Sequence, residues 1–142
     1  MTVILDTDIL SLLQDDSDPV AIRIQRRFDQ APAAEVFTTV ISFQEQVRGW
    51  LAAINHPHND RKLLTAYEGL FEILKAFACL NLWPFEADAL QRFHELRKQG
   101  VGIGTHDLCI AAIALTHNAK VVTRNLRDFE QVPGLVVEDW TA

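Results

Sequence analysis

The chain has few of the residues that mark disulfide-stabilised or metal-binding small proteins. Its 142 residues contain two cysteines, Cys79 and Cys109, which form neither a Cys-x-x-Cys pair nor a zinc-like cluster. Both lie among apolar neighbours, so we expect small buried thiols rather than a metal or redox site. The length predicts one domain, spanning residues 1–142, with a core of its own.

Long apolar runs are also missing. No stretch is apolar for long enough to cross a bilayer, and no basic segment precedes an apolar one at the start. We therefore expect a cytoplasmic protein that does not act at a membrane. Phosphate-loop and serine-hydrolase motifs do not occur, which leaves functions of those two kinds unsupported.

Positive charge is scarce, since 13 Lys and Arg against 19 Asp and Glu give a net charge of −6. This balance argues against a protein whose whole surface binds nucleic acid electrostatically. It does not exclude a nuclease, because a carboxylate-lined metal site adds negative charge that bound cations offset. The basic residues form four groups along the chain: Arg23, Arg26 and Arg27; Arg61 and Lys62; Arg97 and Lys98; Arg124 and Arg127.

Short apolar runs, of which residues 36–41 are β-branched, alternate with longer amphipathic segments. The runs predict strands at residues 3–6, 36–41, 80–83 and 120–123, with a possible fifth at 135–137. The amphipathic segments predict helices from about residue 9 and over 19–31, 42–54, 61–78, 86–99 and 105–116, with a helical turn at 126–129. This alternation predicts an α/β fold with a mostly parallel central sheet of four or five strands. The third and fourth helices would form a hairpin.

Acidic or amide residues occur where predicted strands give way to helices, or in the first turn of a helix. They are Asp6, Glu45, Asp107 and the pair Asn125 and Asp128. In a parallel sheet these junctions all lie on one side, so residues distant in sequence would converge there. Mg²⁺ and Mn²⁺ prefer such hard oxygen ligands, and the pattern therefore favours a divalent-metal site.

Each of these positions also has a purely structural interpretation. Ser42 followed by Glu45 is a capping box, in which Glu45 would satisfy a backbone donor at the helix start. Asp107 could complement a helix dipole, and Asn125 is a common turn residue. Asp6 is harder to explain in this way, because a carboxylate closing a buried strand costs free energy unless something pairs with it.

The histidines supply no second metal-ligand pattern. His106 precedes Asp107 but is rotated away from it by about 100° on a helix, which favours a surface or packing role. His56 and His58 lie in a predicted loop without a partner at metal-ligand spacing. The acidic positions therefore remain the candidate site.

Four sequence motifs resemble those of PIN-domain nucleases. Residues 3–10 resemble the first strand of that family, which ends in Asp-Thr-Asn or Asp-Thr-Asp, and residues 39–49 resemble a second motif of strand, Glu and later Gly. Residues 103–112 resemble the third motif, Ile-Gly-x-x-Asp-x-x-Ile-Ala, and residues 121–129 the fourth. The segment 134–140 resembles the usual ending. All four motifs occur in order, and the length and the ending of the chain most resemble the VapC-type toxins of VapBC toxin–antitoxin pairs.

The resemblance implies a PIN-like three-layer α/β/α fold and a set of catalytic residues. Asp6, Glu45 and Asp107 would hold a divalent metal, Mg²⁺ or alternatively Mn²⁺, and Asn125 would complete the set. Asn125 falls where many relatives carry Asp, and an amide can ligate only through its neutral oxygen. Occupancy of a second metal position would then need a neighbouring acid to compensate, and the two candidates are Asp8 and Asp128.

The resemblance also implies an activity and partners. The activity would be that of a metal-dependent endoribonuclease that leaves 5′-phosphate and 3′-hydroxyl ends, acting as the toxin of a type II toxin–antitoxin pair. Thr7 and Thr123 would orient carboxylates or contact phosphate, and the arginine groups near the rim, Arg124 foremost, would contact RNA. The chain would be a homodimer, silenced by a cognate VapB-type antitoxin whose peptide occupies a groove near the site.

Two other functions fit parts of the sequence. A haloacid-dehalogenase-type phosphatase would use Asp6 as nucleophile within Asp-x-Asp, although neither Lys98 nor Lys120 is well placed for the lysine that such an enzyme needs. A binding module that keeps the fold without catalysis would agree with the negative charge and with Asn125.

Overall fold

The computed structural model describes residues 1–15 and 17–142, and in these ranges strands and helices alternate along the chain. The strands are β1 (Val3–Leu5), β2 (Val36–Thr39), β3 (Asn81–Trp83), β4 (Lys120–Val122) and β5 (Val137–Glu138). The helices are α1 (Thr7–Leu13), α2 (Pro19–Gln30), α3 (Val40–Asn55), α4 (Asp60–Ala78), α5 (Ala87–Lys98), α6 (Thr105–Thr116) and α7 (Leu126–Phe129). None of the described helices is both long and apolar enough to span a membrane.

The five strands form one parallel sheet in the order β3-β2-β1-β4-β5. Strand β1 is central, and Val3 pairs with Val36 on one side and with Lys120 on the other. The fifth strand is shorter than predicted and begins at Val137, where it pairs with β4. Because all strands run the same way, their carboxyl ends meet at a single edge of the sheet.

Alternating residues of β1 face two different layers of helices. Ile4 packs with Leu108 and Ile110 of α6, while Leu5 packs with Ile9 and with Ile24 of α2. Burial of both faces explains why these strands are continuous apolar runs. The predicted three-layer α/β/α fold is confirmed, and Asp6, next after β1, stands at the rim between the layers.

Two helices begin earlier than the sequence predicts. Helix α1 begins at Thr7 because Asp6 is its N-cap, with extended backbone and a carboxylate that accepts a hydrogen bond from the Ile9 N–H at 3.2 Å. Helix α3 begins at Val40 because the Thr39 hydroxyl caps it, accepting from the Ser42 N–H at 3.3 Å. A capping side chain thus outweighs the β-branched run that predicted a strand through residue 41.

Cys79 differs from the sequence prediction. It is exposed at the carboxyl end of α4, whereas Cys109, in the middle of α6, is buried as expected. Local apolar neighbours predicted both thiols to be buried. Cys79 is the C-cap of α4, where the chain leaves the helix, and a side chain at such a position can face solvent although its sequence neighbours are apolar.

Helices α3 and α4 form the predicted hairpin, which packs tightly at one point. A side chain added at Gly69 of α4 would overlap the indole ring of Trp50 on α3. The absent side chain therefore sets how closely the two helices approach.

We predict that Gly69→Ala destabilises the fold by about 1–3 kcal/mol, because the Trp50 ring must move to admit the methyl group. Urea unfolding measures the change. Gly49→Ala is the matched control, since an added side chain at Gly49 has no neighbour within 4 Å, and it should stabilise α3 slightly. Equal or greater stability of Gly69→Ala would contradict this account of the hairpin.

Candidate active site

Asp6 is the most buried acidic side chain of the described residues, with 5% of its surface exposed. Its N–H donates to the Val122 carbonyl at 3.1 Å, which extends the pairing of β1 with β4 by one residue. Its carboxylate is held by the Ile9 N–H at the start of α1. Sheet and helix together fix this carboxylate at the rim.

The surroundings of Asp6 disfavour its charge. The pKa of Asp6 is raised to about 9. Burial is the main cause, and the hydrogen bond to Asp8 and the charge of Asp8 act in the same direction. The Thr123 hydroxyl and the Ile9 N–H lower this pKa, but by less. An ionised Asp6 is therefore under-compensated by the protein alone.

Asp107 lies in the first turn of α6, at the same edge of the sheet. Partial burial raises its pKa above that of an ordinary aspartate, and the charge of Glu45 raises it further. Asp128 and Asp8 act in the same direction, whereas His106 lowers this pKa. Three acids from separate parts of the chain thus reach Asp107 electrostatically.

Glu45 is held by the element that carries Asp6. The Thr7 hydroxyl donates to Glu45 Oε1 at 2.6 Å and lies 2.9 Å from the Ser42 hydroxyl. The other oxygen, Oε2, lies 3.5 Å from His106 Nδ1. The capping-box interpretation of Glu45 is wrong, because Thr39 caps α3 and Glu45 lies beyond the first turn. Its carboxylate faces the rim instead.

Asn125 contacts the site through its acidic neighbour. Its side-chain amide donates to Asp128 Oδ2 at 2.8 Å, and its backbone N–H donates to the Thr123 hydroxyl at 2.9 Å. The negative charge at this corner belongs to Asp128, which Asn125 orients. Of the two candidates for a compensating acid, Asp128 is therefore built into the corner where Asn125 stands.

Whether the rim can hold a metal ion depends on how its acidic side chains are spaced and paired. Within residues 1–15 and 17–142, no three His, Cys, Asp or Glu side chains stand close enough together to enclose an ion as they are placed. Across the same part of the chain, no Lys or Arg pairs with Asp6, Glu45 or Asp107. Like charges repel, and Glu45 is turned toward Thr7. The donor set, carboxylate oxygens without a cationic partner, fits a hard divalent cation, which would draw these side chains together.

Two residues near the acids had a different interpretation from sequence. His106, expected to have a surface or packing role, lies 3.5 Å from Glu45 through its Nδ1, so the first turn of α6 brings both His106 and Asp107 to the rim. Ser42, expected to cap a helix, instead touches Thr7 with its hydroxyl. Gly104 interrupts the helical pattern in the sequence, so α6 is expected to begin directly after it. That start puts His106 in the first turn of the helix and therefore at the rim.

Two arginines of the first basic group are engaged within the fold. Arg23 donates to the Thr141 carbonyl at 3.0 Å, and the Arg27 guanidinium lies 5.5 Å from the centre of the Trp140 ring. These contacts hold the carboxyl-terminal segment against α2. Arg124 is exposed and follows Thr123 at the rim, so it keeps the position expected for a phosphate contact.

Comparisons with known proteins agree with this geometry. The PIN domain family model matches residues 3–135. Ribonuclease VapC1 of Haemophilus influenzae (strain R2866) is 30% identical over 145 residues, covering 99% of this chain and 99% of that protein. Ribonuclease VapC1 of Rickettsia felis is 28% identical over 138 residues, covering 96% and 95%.

Solved structures share the fold. VapBC-1 from nontypeable Haemophilus influenzae superimposes with a TM-score of 0.75 at 24% identity, over 100% of both chains. VapBC2 from Rickettsia felis, bound to a DNA fragment from its promoter, gives 0.72 at 23% identity over 99% of both. The family model, the full-length relatives and the four ordered motifs agree, and the chain belongs to the PIN domain family and, within it, to the VapC ribonucleases.

Proposed function

We propose that the chain is a Mg²⁺-dependent endoribonuclease, the toxin of a type II toxin–antitoxin pair, which hydrolyses RNA to 5′-phosphate and 3′-hydroxyl ends. The observation that carries the proposal is the burial of Asp6 at a rim that also holds Glu45, Asp107 and Asp128. In the described part of the chain, no Lys or Arg pairs with Asp6, Glu45 or Asp107. The relatives named ribonucleases support the nuclease activity. Mn²⁺ would serve as an alternative cation.

Asp6 and Asp107 would be the principal metal ligands, with Glu45 either ligating or holding the attacking water. A divalent cation in this position polarises the phosphoryl group and lowers the pKa of water. Thr7 keeps the Glu45 carboxylate at the rim through its 2.6 Å hydrogen bond. Asp128, oriented by Asn125, would supply the fourth acidic group.

A groove of about 950 Å³ leads to this rim between α1 and the α3–α4 hairpin. Thr7 and Glu45 lie at one end of its lining, and Trp50, Gly69 and Glu72 lie along the hairpin. We propose that a VapB-type antitoxin peptide fills this groove and thereby covers Glu45. Solved neighbours of the same fold are VapBC toxin–antitoxin complexes, which supports such a partner. By resemblance the chain would be a homodimer, and its RNA substrate places its action in the cytoplasm.

The sequence left two other functions open, a phosphatase and a non-catalytic binding module. Membership of the PIN domain family argues against the phosphatase, which belongs to a different family. The non-catalytic module becomes an outcome of the cleavage assay.

We predict that the protein cleaves pooled tRNA and rRNA in Mg²⁺ and that Asp6→Asn reduces the rate at least about a hundredfold, since loss of even an outer-shell partner costs 10–100-fold. A chelator should abolish cleavage. Asp29→Asn is the matched control, because Asp29 lies near the end of α2 and accepts only from Gln25. A folded protein with no cleavage would leave the non-catalytic module.

Glu45→Gln should remove most of the activity while the melting temperature changes little. The amide keeps the side-chain shape but loses the charge that a cation requires, and α3 keeps its cap at Thr39. Cleavage rate and thermal unfolding on the same sample separate the two effects. Activity near that of the unmodified chain would rule out a metal role for Glu45, and Glu68→Gln, exposed on α4, is the control.

In a chelator, the stability of the protein should fall as pH rises from about 4 toward 9. The folded pKa of Asp6, about 9, exceeds the unfolded value of about 3.9, so the folded state binds the extra proton in this interval. Asp6→Asn keeps the helix cap and removes the titration. At pH 8 it should be more stable than the unmodified chain by about 1 kcal/mol or more.

Urea unfolding between pH 5 and pH 9 provides the measurement. Added Mg²⁺ should stabilise the unmodified chain and have a smaller effect on Asp6→Asn. Parallel stability profiles for the two proteins would contradict the proposed electrostatics of Asp6.

A further inference from the structure

The loop that leads to Asp107 is rich in glycine and provides no side-chain cap for the helix that follows it. Residues 99–104 join α5 to α6 and contain three of the six glycines of the chain. Gly104, the N-cap of α6, offers no side chain to cap the helix, and Gly100 adopts a φ of 85° that favours glycine. Val101 and Ile103 anchor the loop in the core through their side chains, but the start of α6 has no capping side chain of its own.

Arg97, in the last turn of α5, spans this loop. Its Nη1 donates to the Ile103 carbonyl at 3.1 Å, and its Nη2 donates to the Thr105 hydroxyl at 3.0 Å. The guanidinium carbon lies 5.4 Å from the centre of the Phe93 ring, one turn earlier on α5. A planar fork that makes two hydrogen bonds and stacks on a ring is held in one orientation.

We propose that Arg97 is a positioning residue for the cleavage reaction, which fixes the first turn of α6 and with it the Asp107 carboxylate. This inference rests on the proposed nuclease function. Thr105 is the first residue of α6, and Asp107 is two residues further on. Asp107 faces the repulsive charge of Glu45, so without the restraint it would move away from the rim.

The same contacts change the role expected for the basic pair Arg97 and Lys98. From sequence, this pair is one of four basic groups, and a group of this kind is most simply a solvated helix face. The Nη1 and Nη2 groups of Arg97 donate to Ile103 of the loop and to Thr105, the first residue of α6. An RNA phosphate would have to displace these hydrogen bonds to be bound by Arg97.

Arg97→Met tests the proposal, since it keeps the aliphatic stem and removes the fork. Single-turnover and steady-state cleavage of one RNA should show kcat reduced about tenfold by misplacement of a ligand, with KM within about twofold. Hydrogen exchange should become faster at the amides of residues 102–107. Arg92→Met is the matched control on α5, because Arg92 makes only a 4.0 Å exposed ion pair with Glu95, and it should change neither readout.

Thr105 provides a second test, which holds even if Arg97→Met folds poorly. Thr105→Val removes the acceptor of Nη2 at nearly constant volume and should lower kcat and loop protection in the same direction. Thr105→Ser keeps the hydroxyl and should behave as the unmodified chain. The effects of Arg97→Met and Thr105→Val should be less than additive, because both break one contact.

Three outcomes would overturn the proposal. A raised KM with unchanged kcat and unchanged loop exchange would identify Arg97 as a phosphate contact. A lowered melting temperature with unchanged kcat would reduce Arg97 to a structural role, and an unchanged loop in Arg97→Met would remove the restraint itself. If the unmodified chain cleaves no RNA in Mg²⁺, the nuclease proposal fails, while loop exchange still reports whether Arg97 holds residues 102–107.

Discussion

The burial of one carboxylate at the end of the central strand is the constraint on which the site depends. Asp6 follows β1, the middle strand of the parallel sheet, and begins α1 as its N-cap. The N-cap hydrogen bond and the Thr123 hydroxyl offset only part of the cost of burying its charge. We propose that a bound divalent cation compensates the remaining cost, which would connect the fold to the proposed chemistry.

The other acids reach this rim through helix starts that the sheet positions. Thr39 caps α3 in place of Ser42, which leaves Glu45 free to accept from Thr7, the residue after Asp6. The loop before α6 is rich in glycine. Val101 and Ile103 anchor it in the core, and Arg97 donates hydrogen bonds to Ile103 and Thr105 just before Asp107. The same edge of the sheet therefore carries Glu45 of α3, which Thr7 orients, and Asp107 of α6, beside Asp6.

The layers of the fold and the parallel direction of its strands follow from features that the sequence displays. The buried runs ending at Leu5 and Val122 and the amphipathic helices between them predicted a parallel sheet covered on both faces, because both signals are local. Helix starts were misplaced at α1 and α3, since a single capping hydrogen bond decides them and a β-branched run gives a competing signal. Cys79 was misplaced for a similar reason, because apolar neighbours do not indicate on which side of a helix end a side chain lies.

The strand–helix junctions and the family resemblance predicted which residues belong to the candidate site. Neither of them predicts in which direction the side chains point. The contact of His106 with Glu45 and the bond from Asn125 to Asp128 join side chains that only the folded chain brings together. Whether the carboxylates can close around one ion depends on rotations of side chains that now point to other partners.

The most direct measurement is the anomalous scattering of crystals grown with Mn²⁺. The account predicts a peak bounded by carboxylate oxygens of Asp6 and Asp107, with Glu45 turned from Thr7 toward the ion or toward a water on it. A well-ordered crystal with no peak at these residues, or with manganese held elsewhere on the chain, would contradict the claim that these acids form one cation site.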